Sequence, residues 1–150
     1  MRVYLDTNVY NRPFDDQTQP RIWLETLAFA LILQMIDAGS VSLVRSSVLD
    51  YENSRNPFPS RRRWVERCLA KARFYQRVDR DIRTRAEELE EAGVRSLDAL
   101  HIACAEAAQS SLFLTGDDRL TSHYEGELKV MNPVDFVVSE GGQYGNQSDE

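Results

Sequence analysis

The 150-residue chain is short of most features that announce a chemistry outright. It has two cysteines, Cys68 and Cys104, far apart and outside any CxxC spacing, so neither a disulfide framework nor a zinc site is indicated. Its two histidines, His101 and His123, stand at no metal-ligand spacing. No GxGxxG, P-loop GK[ST] or GxSxG occurs, so nucleotide-cofactor and serine-hydrolase readings lack their motifs. No apolar run reaches the ~18 residues that a membrane span needs. The opening Met1-Arg2-Val3-Tyr4-Leu5-Asp6 meets an acid too early for a signal peptide. A cytoplasmic location is expected, with both thiols reduced and buried in helical apolar stripes.

What is present is ordinary in amount and uneven in placement. A hydrophobic fraction of 42% and a charged fraction of 28% suit one globular domain with a core. The net charge of −6 argues against a polyanion partner until its distribution is considered. Residues 55–85 carry eleven of the eighteen Lys and Arg against three acids, a local +8. The remainder holds seven basic and twenty-one acidic residues, or −14. One basic zone on an acidic protein can dock a polyanion locally.

Apolar periodicity and turn residues predict strands at Arg2–Leu5, Val41–Val44, Phe74–Val78, Ser111–Leu114 and Leu128–Met131. Between them fall helices over 21–38, 46–53, 61–73, 81–92, 97–109 and 117–124. Ser46 or Ser47, Ser60 and Ser96 are the expected caps, and Gly39 and Gly93 the stops. Pro13, Asp15, Asp16 and Pro20 mark a turn segment, and Pro133–Val138 a closing turn. The order predicts an α/β protein: a three-layer α/β/α sandwich with a mostly parallel sheet of about five strands. Residues 1–138 form the expected domain, and 139–150 lack the apolar content to pack and read as a disordered tail. The 21–38 helix is apolar on two faces, Leu24/Leu27/Ala28/Leu31/Met35 and Ile22/Phe29/Ile32/Leu33/Ile36. One covers the sheet; the other is read as a protein interface.

Four acidic clusters sit where strands hand over to helices or loops: Asp6, Asp50/Glu52, Asp98 and Asp117/Asp118. Ligands of parallel sheets collect at the carboxyl ends of the strands. Taken singly, each acid has a plain structural use as a turn former, helix cap or dipole partner. Together they suggest a pocket of carboxylates, which repel one another unless a cation lies among them. With oxygen ligands alone that cation is Mg²⁺ or Mn²⁺, and such an ion usually handles phosphate. Arg63, Arg67 and Lys71, spaced i, i+4, i+8 and preceded by Arg61 and Arg62, read as a phosphate-contacting row. His101 stands on the face of Asp98 and reads as a satisfied, half-buried histidine.

Three ordered segments, Leu5-Asp6-Thr7-Asn8-Val9, Ser96-Leu97-Asp98-Ala99-Leu100-His101-Ile102-Ala103 and Leu114-Thr115-Gly116-Asp117-Asp118-Arg119-Leu120, resemble the signatures of PIN-domain metal-dependent ribonucleases. The resemblance spans Arg2 to about Val138. At this length it is most like a VapC-type toxin of a toxin–antitoxin pair. It implies Asp6, Glu52, Asp98 and Asp117 around one or two Mg²⁺ or Mn²⁺ ions, with Asn8, Thr115 and Asp118 in support. The family pattern is loose at the second acid, where Glu52 is preferred to Asp50. It further implies endoribonuclease activity through a metal-activated water, leaving 5′-phosphate and 3′-hydroxyl ends. An RNA substrate, an antitoxin partner and a homodimer are the expected associations. The rival readings are a non-catalytic domain of the same fold binding RNA or protein, and a phospho-receiver. The receiver needs a phosphoacceptor at a middle strand end, and Asp50 falls inside a predicted helix.

Overall fold

The computed structural model describes residues 1–148 of the chain. Among them five strands, β1 (Arg2–Leu5), β2 (Ser42–Ser46), β3 (Phe74–Gln76), β4 (Leu112–Leu114) and β5 (Lys129–Met131), form one sheet in the order β3-β2-β1-β4-β5. Every pairing is parallel, with Tyr4 opposite both Val44 and Phe113. Short apolar runs such as Leu112-Phe113-Leu114, buried throughout, suit strands covered on both faces. The Tyr4 and Phe113 rings stack at 5.2 Å between centroids, a contact worth about 1 kcal/mol beyond area burial.

Eight helices accompany the strands among the described residues: α1 (Thr7–Asn11), α2 (Pro20–Asp37), α3 (Ser47–Ser54), α4 (Pro59–Leu69), α5 (Arg80–Glu91), α6 (Ser96–Ala107), α7 (Asp118–His123) and α8 (Pro133–Ser148). From β1 the chain works outward to β2 and β3, then crosses back to β4 and β5. Right-handed crossovers running in opposite directions put α2 over one face and α5–α6 over the other. Helices α2 and α8 pack together, as do α5 and α6, and α6 lies against β2 and β3. The core between them holds Val3, Tyr4, Leu5, Phe29, Ile32, Leu43, Ile102 and Phe113, all at most 1% exposed. Both cysteines are free and buried, and burial pushes their thiols up to about 11 (Cys68) and about 12 (Cys104), so both stay protonated. No helix among the described residues is long and apolar enough to cross a membrane.

Several boundaries differ from the sequence expectation for identifiable reasons. The stretch from Asp6 to Pro20, expected as turn, contains α1 and a 3₁₀ turn at Arg12–Phe14. Ser60 does not cap α4: Pro59 takes the first helical position, where its fixed φ is preorganised, and Phe58 is the N-cap. Ser96 likewise begins α6 from within, with extended Arg95 as N-cap. Ser46 caps α3 as expected, accepting from Leu49 N at 3.1 Å. In place of a closing turn at Pro133–Val138, α8 starts there. Asn132 Oδ1 accepts from Val134 N at 2.8 Å, and Phe136 is 1% exposed. The backbone of 139–148, read from sequence as tail, continues that helix, while Asp149 and Glu150 lie outside the described residues.

Candidate functional site

Strand order reverses between β1 and β4, and the crevice at such a switch point is the natural ligand site of an open parallel sheet. Asp6 leaves β1 there, tied to β4 by its N–H, which donates to Leu114 O at 2.9 Å. Its side chain is the N-cap of α1, Oδ1 accepting from Thr7 N at 2.8 Å. Oδ2 accepts from Thr115 Oγ1 at 2.8 Å and from Asn8 Nδ2 at 3.1 Å. Asn8 also accepts from Gly116 N at 2.9 Å through Oδ1, and Thr115 Oγ1 accepts from Asp117 N at 3.1 Å. Asn8 and Thr115 thus join the ends of β1 and β4 into one hydrogen-bonded unit around Asp6. Asp6 is 5% exposed, and burial raises its carboxyl above the ordinary value against the pull of these bonds.

Asp98 lies in the first turn of α6, half-buried. Desolvation, then the charges of Asp6 and Asp117, and more weakly Glu52, push its carboxyl up to about 6. Three separate acids thus raise this one carboxyl. Asp117 is the N-cap of α7, accepting from Arg119 N at 2.9 Å, and borders with Asp98 a cavity of about 230 Å³. The same cavity is lined by Arg95, Arg119 and His123, cations and a histidine that the sequence reading left out. Only the fold brings the loop before α6 beside α7.

Glu52, preferred by resemblance, and its competitor Asp50 have different surroundings. Asp50 accepts from Arg45 Nε at 2.8 Å and from Tyr75 OH at 3.3 Å, beside the edge strand β3. Glu52 Oε1 is hydrogen-bonded to His101 Nε2. His101, expected half-buried, is fully buried, and its Nδ1 lies 2.6 Å from Tyr4 OH. Asp50 sits within α3 and not at a strand end, so it is not placed as the phosphoacceptor of a receiver. Asp118 turns away from the acids: it is exposed and held by Arg21 through bonds of 2.7 and 2.8 Å, which lower its carboxyl below the ordinary value.

The loop between β4 and α7 is braced by a buried charge cluster. Glu25, 1% exposed in the second turn of α2, accepts from Arg12 Nε at 2.9 Å and from Asn132 Nδ2, directly after β5. Arg21 reaches the carbonyl of Gly116 at 3.0 Å. A Cβ on Gly116 would fall 2.6 Å from Arg12 Nη2 and 3.1 Å from Glu25 Oε2, so a side chain there requires the Arg12 guanidinium to shift.

The basic row is divided by the fold. Helix α4 ends at Leu69, so Lys71 is off the helix, and it pairs with Asp37 at 2.7 Å. Arg61 donates to Phe14 O and lies over the Phe14 and Phe58 rings, and Arg62 donates to Asn56 O. Arg63 and Arg67 are exposed, on a helix that packs against α1 and α3. Three of the five residues therefore have structural partners, and two face solvent.

Among the described residues no three His, Cys, Asp or Glu side chains converge closely enough to chelate an ion by themselves. The donor chemistry nonetheless suits a hard cation: the acids are oxygen ligands under mutual repulsion. Mg²⁺ characteristically takes one or two carboxylates and keeps its remaining positions for water and phosphate.

The family model described as PIN domain matches residues 3–126 of the chain. No curated protein matches it in sequence. Among solved structures, VapBC2 from Rickettsia felis, bound to a DNA fragment from its promoter, is similar at a TM-score of 0.60 and 16% identity, over 88% of this chain and 98% of that one. FitAcB from Neisseria gonorrhoeae is similar at 0.55 and 19%, over 87% and 97%. FitAB bound to an IR36 DNA fragment gives 0.53 and 18%, over 88% and 95%. At these identities the likeness is one of fold.

Proposed function

Because the chain belongs to the PIN domain family, we propose that it is a metal-dependent endoribonuclease. In this reading it is the toxin of a type II toxin–antitoxin pair, acting in the cytoplasm. The observation that carries the proposal is the Asp98 carboxyl, which shares a cavity with Asp117 and is pushed up to about 6 by desolvation and by the charges of Asp6, Asp117 and, more weakly, Glu52. A carboxyl so crowded is poised to accept a cation in place of a proton.

Asp6, Asp98, Asp117 and Glu52 would hold one or two Mg²⁺ or Mn²⁺ ions. Bound there, the cation supplies an acidified water and positive charge against the scissile phosphate. The protein's own part is orientation. Thr7, Asn8 and Thr115 fix both oxygens of Asp6. The cap on Arg119 N orients Asp117, and the first turn of α6 directs Asp98 to the same mouth. Asp118, proposed from sequence as a supporting group, supports at one remove by anchoring Arg21 against Gly116.

RNA would approach across the solvent-facing Arg63 and Arg67 and meet Arg95 and Arg119 at the cavity beside Asp98 and Asp117. Partners have an open surface on α2, where Trp23, Leu24, Leu27 and Leu31 are 44 to 50% exposed. That stripe supports the homodimer expectation, and the likeness to VapBC2 and FitAcB supports a small antitoxin partner. The test is incubation of purified protein with RNA in Mg²⁺ or Mn²⁺ and in EDTA, followed by analysis of product ends. Cleavage only with metal, leaving 5′-phosphates, is expected; undiminished cleavage in EDTA would overturn the metal reading.

A further inference from the structure

The corner between α3 and α4 carries charge and aromatic surface that the fold does not use up. Residues 55–67 hold five arginines, Arg55, Arg61, Arg62, Arg63 and Arg67, against one acid. That acid, Glu66, is paired with Arg45, and none of the five arginines forms an ion pair among the described residues. Two large rings beside them keep about half their surface in solvent: Tyr51 is 55% exposed and Phe58 52%. Each has a guanidinium over it, Arg55 at 5.7 Å from the Tyr51 centroid and Arg61 at 4.7 Å from that of Phe58.

Asn56 holds the corner in one shape. Its Nδ2 donates to Asn11 Oδ1 at 3.2 Å, its Oδ1 accepts from Phe58 N at 3.1 Å, and its carbonyl accepts from Arg62 Nη1. Trp64 Nε1 donates to Tyr10 O at 3.0 Å and ties α4 to α1. A surface fixed in this way loses little freedom when a ligand docks on it. Tyr51 to Ser54 adds three helical steps and Ser54 to Phe58 at most four extended residues, so the backbones under the two rings lie within about 20 Å. Tyr51 directly precedes Glu52 in α3. Cations without carboxylate partners beside open rings suit a polyanion with flat apolar faces along its length, which is a single-stranded nucleic acid. An apolar protein face would leave the arginines uncompensated. A duplex would leave the rings bare, because its bases already stack on one another.

We propose that this corner is a stacking platform for single-stranded RNA, with bases on the Tyr51 and Phe58 rings and phosphates on Arg55, Arg63 and Arg67. Arg61 and Arg62 keep their carbonyl partners and add positive charge to the surface. The rings read no sequence, since every base has a face to stack, but they favour unpaired strands over duplex. The choice of RNA as the polyanion rests on the proposed function; the stacking chemistry does not.

The test is binding of a fluorescein-labelled, unstructured RNA, followed by anisotropy in EDTA with each protein's unfolding transition recorded. Tyr51→Leu and Phe58→Leu remove a ring and keep apolar bulk. Each should bind the single strand about fivefold or more weakly, with the salt dependence unchanged. Tyr51→Phe and Phe58→Tyr keep a ring and should lie within about twofold of wild type. A blunt RNA duplex of the same length should bind equally to wild type and all four variants. Wild-type affinity for the single strand in both folded leucine variants would overturn the platform and leave the rings to an acidic protein partner. Equal losses on single strand and duplex would overturn it too. If a leucine variant does not fold, 2-aminopurine placed in the strand reads stacking on wild type directly. Its fluorescence should be quenched on binding, and unchanged emission would overturn the proposal. Ring-dependent binding by a protein that cleaves no RNA in Mn²⁺ would overturn the proposed nuclease function and support the platform.

Discussion

Replacing Asp98 with Asn should stabilise the metal-free protein at neutral pH while removing its activity. The unfolded chain titrates Asp98 near 3.8, and the folded protein near 6. Between those values the folded state holds a proton that the unfolded state has released. Stability is therefore lost as pH rises through that window and stays lost above it. The full gap corresponds to about 3 kcal/mol. Asp98 is only half-buried, and solvent screening reduces the figure to about 1.5 kcal/mol. Asp98 also sits in the first turn of α6, where its charge recovers about 0.5 kcal/mol from the helix dipole. The net expectation for Asp98→Asn is about 1 kcal/mol of added stability near pH 7.5, or about 2–4 °C in Tm. Near pH 3.5, where the carboxyl is largely protonated in both states, the difference should nearly vanish. Urea denaturation in EDTA at the two pH values measures it. A variant less stable than wild type at neutral pH, or a gain that persists in acid, would refute the crowded-carboxylate account. Added Mn²⁺ should stabilise wild type more than the variant, because a cation relieves the repulsion that Asn has already removed.

Three further outcomes follow from the surrounding structure. Gly116→Ala drives a methyl to within 2.6 Å of Arg12 Nη2 and should cost about 1–3 kcal/mol in urea denaturation; wild-type stability would mean the Arg12–Glu25 cluster yields freely. Arg63→Glu with Arg67→Glu should weaken RNA binding across sequences and flatten its salt dependence, by about 0.7 in log–log slope for each phosphate no longer neutralised. An unchanged slope would make those arginines solvated bystanders. Leu27→Glu with Leu31→Glu should convert a homodimer to monomer in sedimentation velocity, and a wild type that already sediments as monomer would remove the α2 stripe from the account.

The sheet was legible in sequence because its strands are short, largely apolar runs bounded by turn residues, and β1 was located to the residue. The place of Asp6 directly after β1 was equally legible, and there it serves as the N-cap of α1. Less local features were not. Ser60 and Ser96 look like caps, but Phe58 and extended Arg95 are the residues from which their helices start. The row of Arg63, Arg67 and Lys71 assumed a helix running through Lys71. The chain leaves α4 after Leu69 to enter the sheet, where Arg73 N donates to Leu43 O. Arg95 and Arg119 carry no motif, and only the approach of α6 to α7 makes them neighbours of Asp98 and Asp117. Glu52 and Asp50 are two residues apart in similar company. Their difference lies in three-dimensional partners, Tyr4–His101 for one and Arg45 for the other.

The most direct measurement is cleavage of one RNA under single-turnover conditions at saturating Mn²⁺, comparing wild type with Asp6→Asn, Glu52→Gln, Asp98→Asn and Asp117→Asn. Each variant is first shown to be folded by its unfolding transition. If the four carboxylates form one metal-holding pocket, every substitution lowers the rate by at least about 100-fold, a loss of roughly 3 kcal/mol in transition-state stabilisation. A folded variant at any of the four positions that cleaves at the wild-type rate would contradict the pocket as drawn.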